Sequence, residues 1–192
     1  MAAGASFRNL RHVGEHLTKD VAISQRTHHM KIGTAIMVLP SQHPLRVAEY
    51  VAMVDSLSVG RGYQPPEFQG FGVAQEDSRE MFEESFEIIR RALTGEKFAF
   101  DGKYWQIQEP TEIFPKPVQK QMLHYMAAIS PASYELAAKH GISLLRSPQF
   151  TNLDIVAEAF NGYRTKMTEN GFDSDAIDQP YSVRTFVAPS DD

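Results

Sequence analysis

One stretch constrains this chain more than any other. From Lys31 to Phe68 it reads KIGTAIMVLPSQHPLRVAEYVAMVDSLSVGRGYQPPEF. The run Ile32 to Leu39 is branched and apolar, with strand character, and Pro40 with the Ser41–Pro44 turn ends it. Val47, Tyr50, Val51, Val54 and Leu57 then recur at spacings of three and four, which predicts a helix with one apolar face. Pro44 suits the first turn of that helix, where a missing N–H costs nothing. Next comes Val59-Gly60-Arg61-Gly62-Tyr63, an arginine between two glycines at the mouth of the following strand. Strand, helix and strand end make a βαβ unit, which requires parallel strands joined by a crossover helix. Arg61 puts a cation at the carboxyl edge of that unit.

The alternation continues down the chain. Gln64 to Phe68 reads as a loop, ended by Gly70-Phe71-Gly72. Asp77 with Glu80 predicts a capping box. Phe82, Phe86, Ile89 and Leu93 mark the helix that follows, which stops at Gly95. Arg79 falls in its first turn, an unfavourable place for a cation against the helix dipole. It is either a solvated surface arginine or the sign of an anion nearby. Phe98 to Trp105 carries the Asp-Gly signature of a hairpin, with Trp105 a packing residue. His124 to Ile129 reads as a buried strand. Ser130-Pro131-Ala132-Ser133 then opens a helix that Gly141 closes, with serine as N-cap and proline in the first turn. Helix N-termini bind anions, although capping is the default meaning of this motif. Ile142 to Leu145 is a further strand, and Arg146 to Phe150 the loop after it. Thr151 or Asn152 caps a last helix with apolar face Ile155, Val156, Phe160, Tyr163 and Met167. Tyr181 to Val187 reads as a final strand. Near the start, Val21 to His29 predicts a short helix. Its adjacent His28 and His29 point apart, so no metal site is expected there.

Composition excludes several classes. At 192 residues the chain suffices for a single domain, 1–192. A formal net charge of −5 opposes a nucleic-acid partner, since a phosphate backbone asks for a basic face. No apolar run approaches membrane-spanning length, and MAAGASFRNLRHVGEH lacks the apolar core of a signal peptide. The absence of cysteine rules out disulfides and thiolate metal sites and fits a cytoplasmic location.

GTAIMVLPSQHPLRVAEYVAMVDSLS and VGRGYQPPEFQGFG, followed by EDSREMFEESFEIIRRALTGE, FDGKYW, FPKPVQK and SPASYELAAKHG, resemble the bacterial luciferase-like family of flavin-dependent monooxygenases. The resemblance covers most of the chain, to about Val187. It implies a (β/α)8 barrel and an enzyme that uses reduced FMN, supplied by a separate flavin reductase, and O2 to oxidise a small organic substrate. It implies that Arg61, Arg79 and Ser130 hold the flavin phosphate and that Ala35 and Ile36 lie beside the ring. Glu15-His16-Leu17-Thr18 resembles the family's Glu-His-His-Phe-Thr segment, which makes His16 the acid–base group; Leu17 replaces the second histidine. The bland alternative for His16 is an exposed side chain in a frayed terminus.

Against the family pattern the barrel is expected to be incomplete. The first strand and most of the second are missing before Glu15, and a stretch is lost between Thr18 and Val21. Most of one strand is reduced to a direct join at Ser58–Val59, and the family's final strand and helix are absent at the end of the chain. Open strand edges seek partners. With the apolar face around Val47, Val51 and Val54, they predict a homo- or hetero-dimer. A non-catalytic flavin-binding or partner subunit is the alternative function, and a structural fragment a third.

Overall fold

The computed structural model describes residues 36–54, 56–118, 123–146 and 153–177, together with Ile23, Arg26 and Pro180. The chain forms two compact units, Met1–His124 and Tyr125–Asp192. His16, Ala35, most of the Val21–His29 segment and the Tyr181–Val187 segment lie outside the described residues.

In the first unit, β1 (Met37–Val38) runs into a 3-10 turn, Leu39–Ser41, then α1 (Pro44–Val54) and β2 (Ser56–Gly60). β1 and β2 pair in parallel, with Met37 opposite Val59 and Val38 opposite Gly60. The βαβ reading therefore holds, and Pro44 opens the crossover helix. Two details differ. Leu57 belongs to β2, where it is buried, so the helical spacing runs past the real end of α1 at Val54. And Val47 and Val51 are buried within the chain's own fold, at 0% and 1% exposure, with α1 packed on a later helix of the unit. Val47 and Val51 are therefore already covered and are not free to drive association.

Gln64–Phe68, expected as a loop, instead leads into a short helix, α2 (Pro65–Gly70). Two prolines are compatible with this because the first turn of a helix needs no N–H from them. Phe68 on α2 is buried. α3 (Ser78–Leu93) buries Phe82, Phe86, Ile88, Ile89 and Ala92 and packs against α1. The capping box at its start does not form. Asp77 has helical backbone angles and its side chain caps nothing. Tertiary contacts claim both carboxylates: the Tyr104 hydroxyl lies 2.7 Å from Asp77 and 3.0 Å from Glu80, and Lys103 donates to Glu80 at 2.8 Å.

One turn further along α3, Glu84 accepts the backbone N–H groups of Lys103, Tyr104 and Trp105 at 2.8, 3.0 and 3.1 Å. These bonds hold the loop of the hairpin β3 (Phe98–Asp101) and β4 (Gln106–Thr111). The loop spans four residues, with Asp101 opposite Gln106, rather than a tight Asp-Gly turn. A Cβ at Gly102 would meet the Glu84 carboxylate at 2.5 Å, so the glycine is required for this approach. Trp105 packs edge-on to His43 with centroids 5.1 Å apart. His124 packs edge-on to Phe86 at 5.5 Å. Burial lowers its pKa to about 4, with the charge of Arg90 adding to the effect.

The second unit contains α4 (Pro131–His140), β6 (Ser143–Leu145) and α5 (Leu153–Glu169), preceded by β5 (Leu123–Ala127). β5 and β6 are parallel, with Tyr125, Met126 and Ala127 opposite Ser143, Leu144 and Leu145. α4 starts and stops where its sequence says. The Ser130 side chain accepts the Ser133 N–H, Pro131 is the first helical residue, and Gly141 closes the helix at φ 66°. α5 packs on α4 and buries Val156, Tyr163 and Met167, whereas Ile155, expected on the same apolar face, is 59% exposed. The Tyr163 hydroxyl donates to the Ile142 carbonyl at 2.6 Å. Burial pushes its pKa up to about 12, against the opposing charge of Arg146. Among the described residues no helix is long and apolar enough to cross a membrane.

Candidate functional site

The carboxyl edge of β2 is shaped by two missing side chains. A Cβ on Gly60 would fall 2.9 Å from Ile36 Cγ2, and one on Gly62 would fall 2.8 Å from Val38 Cγ1 and 3.0 Å from Phe68 Cζ. Gly62 also has φ 85°, a conformation that side-chain-bearing residues rarely adopt. The two glycines let Ile36, Val38 and Phe68 press against the backbone, and that contact fixes where Arg61 emerges. Arg61 is half-buried, and among the described residues it makes no hydrogen bond or ion pair. A partly desolvated guanidinium without a counter-charge is costly, so this edge is suited to receive an anion. Beside it, Ile36 keeps 38% of its surface exposed and offers an apolar face. Ile36 stands immediately before β1. The structure thus brings Ile36 and the Gly60–Arg61–Gly62 loop together.

Arg79 is placed differently. It is exposed on the first turn of α3, and its Nε lies 3.7 Å from Glu83 one turn on. Glu80 and Glu83 offset the helix-dipole penalty of a cation here. None of its ion pairs or hydrogen bonds among the described residues reaches the Gly60–Gly62 loop. Glu67 on α2, one residue from Phe68, has its carboxyl pushed up by burial.

In the second unit Ser130 already has a structural task. Its Oγ accepts the Ser133 N–H at 3.3 Å and lies 3.0 Å from Ser133 Oγ. Sequence reasoning passed over Arg146, which follows β6 as Arg61 follows β2. Its guanidinium lies 3.9 Å from the centre of the Phe160 ring, and Nη1 donates to the Val156 carbonyl at 3.2 Å. The one signal that could have found it is its place directly after a strand.

A family model described as luciferase-like monooxygenase matches residues 21–192. Limonene 1,2-monooxygenase of Rhodococcus erythropolis is 29% identical over 181 residues, which are 89% of this chain and 46% of that protein. The alkanal monooxygenase beta chain of Photorhabdus laumondii is 30% identical over 178 residues, 89% of this chain and 55% of that one. Among solved structures, a monooxygenase from Streptomyces bottropensis superposes with a TM-score of 0.74 at 27% identity, covering 81% of this chain and 50% of its own. The oxygenating constituent of 3,6-diketocamphane monooxygenase from Pseudomonas putida, solved with FMN, gives a TM-score of 0.73 at 20% identity, covering 90% of this chain and 52% of that one. The chain spans about half the length of the curated relatives it matches. Its fold is α/β of the (β/α)8-barrel type, incomplete relative to these chains.

Proposed function

The chain belongs to the luciferase-like monooxygenase family, and from that premise we propose that it binds FMN and works as a flavin-dependent monooxygenase on a small organic substrate. One observation carries the reading: the guanidinium of Arg61, without a hydrogen bond or ion pair among the described residues and set by Gly60 and Gly62 beside the exposed face of Ile36. A flavin mononucleotide asks for those two things, an oxyanion donor set and an apolar surface. Reduced flavin, when bound, supplies the two electrons that let one oxygen atom of O2 enter the substrate while the other leaves as water.

The protein's own residues bind, orient and exclude water. Arg61 takes the phosphate through its planar fork. Arg79 adds a second cation by leaving its loose pairing with Glu83, and by the family resemblance Ser130 takes part in the same phosphate binding. Ala35 and Ile36 flank the ring. His16 moves the proton, as the side chain whose charge changes near neutral pH. A separate flavin reductase supplies the reduced cofactor, and the chain acts as one domain in the cytoplasm, as a homo- or hetero-dimer.

The test is an anaerobic titration of the purified chain with reduced FMN, followed by admission of O2 with candidate substrates. Saturable binding and oxygenated product are expected. Tight binding without product in any substrate panel would favour the alternative of a non-catalytic flavin-binding or partner subunit. No binding of reduced FMN at millimolar concentration would end the proposal.

A further inference from the structure

Arg146 is built into the second unit more elaborately than a surface arginine needs. It directly follows β6, one strand over from β5, whose carboxyl end leads into Ser130 and α4. One flat face of the guanidinium stacks on Phe160, whose ring in turn stacks on Tyr163 with centroids 5.9 Å apart. Tyr163 is tied to the Ile142 carbonyl just before β6. The guanidinium is therefore braced from beneath by two stacked side chains, Phe160 and Tyr163, and its Nη1 is spent on the Val156 carbonyl.

What remains is the other edge of the group. Nε is buried and has no hydrogen-bond partner, and neither Nε nor Nη2 has an acceptor among the described residues. These two N–H groups lie in one plane and point the same way, which is the geometry that takes both oxygens of a carboxylate at once. No carboxylate among the described residues pairs with Arg146. A charge that is held rigidly, partly desolvated and without a counter-ion among the described residues calls for an oxyanion from elsewhere.

We propose that Arg146 receives an oxyanion of a bound ligand at the carboxyl edge of β6, and that the small organic substrate of this chain carries a carboxylate there. The inference rests on the reading of this family's ligand face as the carboxyl edge of the strands. The same chemistry could be met by the phosphate of the cofactor, and the experiment separates the two. Phe160 is a positioning residue: it touches no ligand but holds the fork in plane.

The test follows the Nε–H NMR resonance of Arg146 in the full chain during titration with benzoate and, separately, inorganic phosphate, with and without saturating FMN. A saturable benzoate shift that survives saturation with FMN is expected. In Arg146→Lys, which keeps the charge and loses the fork, calorimetry should show benzoate binding about tenfold weaker. In Phe160→Ala it should weaken severalfold with the charge intact. Arg146→Lys should bind FMN as the parent chain does, which separates this proposal from the flavin reading. If no variant and not even the parent binds FMN while benzoate still shifts Arg146, the flavin reading fails and this one stands. Three outcomes would overturn it: no saturable shift in the parent chain, undiminished benzoate affinity in Arg146→Lys, or loss of the benzoate shift when FMN fills the site, which would assign the oxyanion to the cofactor.

Discussion

Arg61 and Arg146 hold the same position in two regions of the molecule, one residue beyond the end of a parallel strand. Their surroundings are built in opposite ways. Around Arg61 the work is done by backbone: Gly60 and Gly62 let neighbours in, and the side chain makes no hydrogen bond or ion pair among the described residues. Around Arg146 the work is done mainly by side chains, with Phe160 and Tyr163, helped by the backbone carbonyl of Val156, fixing the guanidinium plane. A cation that no such bond ties down can swing to meet a ligand. One braced along its length must be met in a set orientation. The first arrangement suits a phosphate, which accepts hydrogen bonds from many directions; the second suits a planar group.

The comparison can be broken most severely at Gly62. An alanine there must adopt φ 85° and place its methyl 2.8 Å from Val38 and 3.0 Å from Phe68. The left-handed backbone and the overpacking together should cost about 3–4 kcal/mol. Chemical denaturation would measure it. A loss below about 1 kcal/mol would mean that the backbone does not shape this edge.

Acid and alkali should then distinguish the regions. His124 has a folded pKa of about 4 against an ordinary 6.5, so between those values the unfolded chain binds the proton and the folded one does not. Stability is therefore full above 6.5 and falls as pH drops toward 4, by about 3 kcal/mol in all. His124→Gln should flatten that slope. In the second region Tyr163, raised to about 12, keeps its proton when folded, so stability should fall as pH rises from 10 toward 12. Amide exchange read region by region would show the acid response around α3 and the alkaline one around α5. A uniform response would erase the contrast.

A smaller effect tests the brace itself. Tyr163→Phe removes one hydrogen bond and leaves the Ile142 carbonyl without that donor, which should cost about 1–2 kcal/mol. The change should also loosen Arg146 without touching Arg61. Arginine side-chain relaxation by NMR would detect both.

What the sequence revealed and what it hid follow the same division. α4 was legible to the residue because Ser130, Pro131 and Gly141 act on their own backbone. The Gly60-Arg61-Gly62 loop was legible because its glycines flank the arginine directly. The Asp77–Glu80 capping box failed because Tyr104 and Lys103, more than twenty residues away, claim those carboxylates first. Leu57 extended the helical spacing only because a buried strand residue happened to fall in step. Pro65-Pro66 read as a break, yet prolines fit a helix's first turn. Arg146 stayed hidden because its support comes from Phe160, on a different element. Local chemistry can be read from the chain; tertiary competition for a side chain cannot.

The most direct test of the central claim is the affinity of FMN and of riboflavin for the parent chain and for Arg61→Ala. If Arg61 holds the phosphate, the substitution should weaken FMN by about 1.5–3 kcal/mol, the range for a hydrogen bond to a charged group. Riboflavin, which lacks the phosphate, should bind both chains alike. Equal losses for the two ligands, or no loss for FMN, would contradict the assignment of this edge as the flavin-phosphate site.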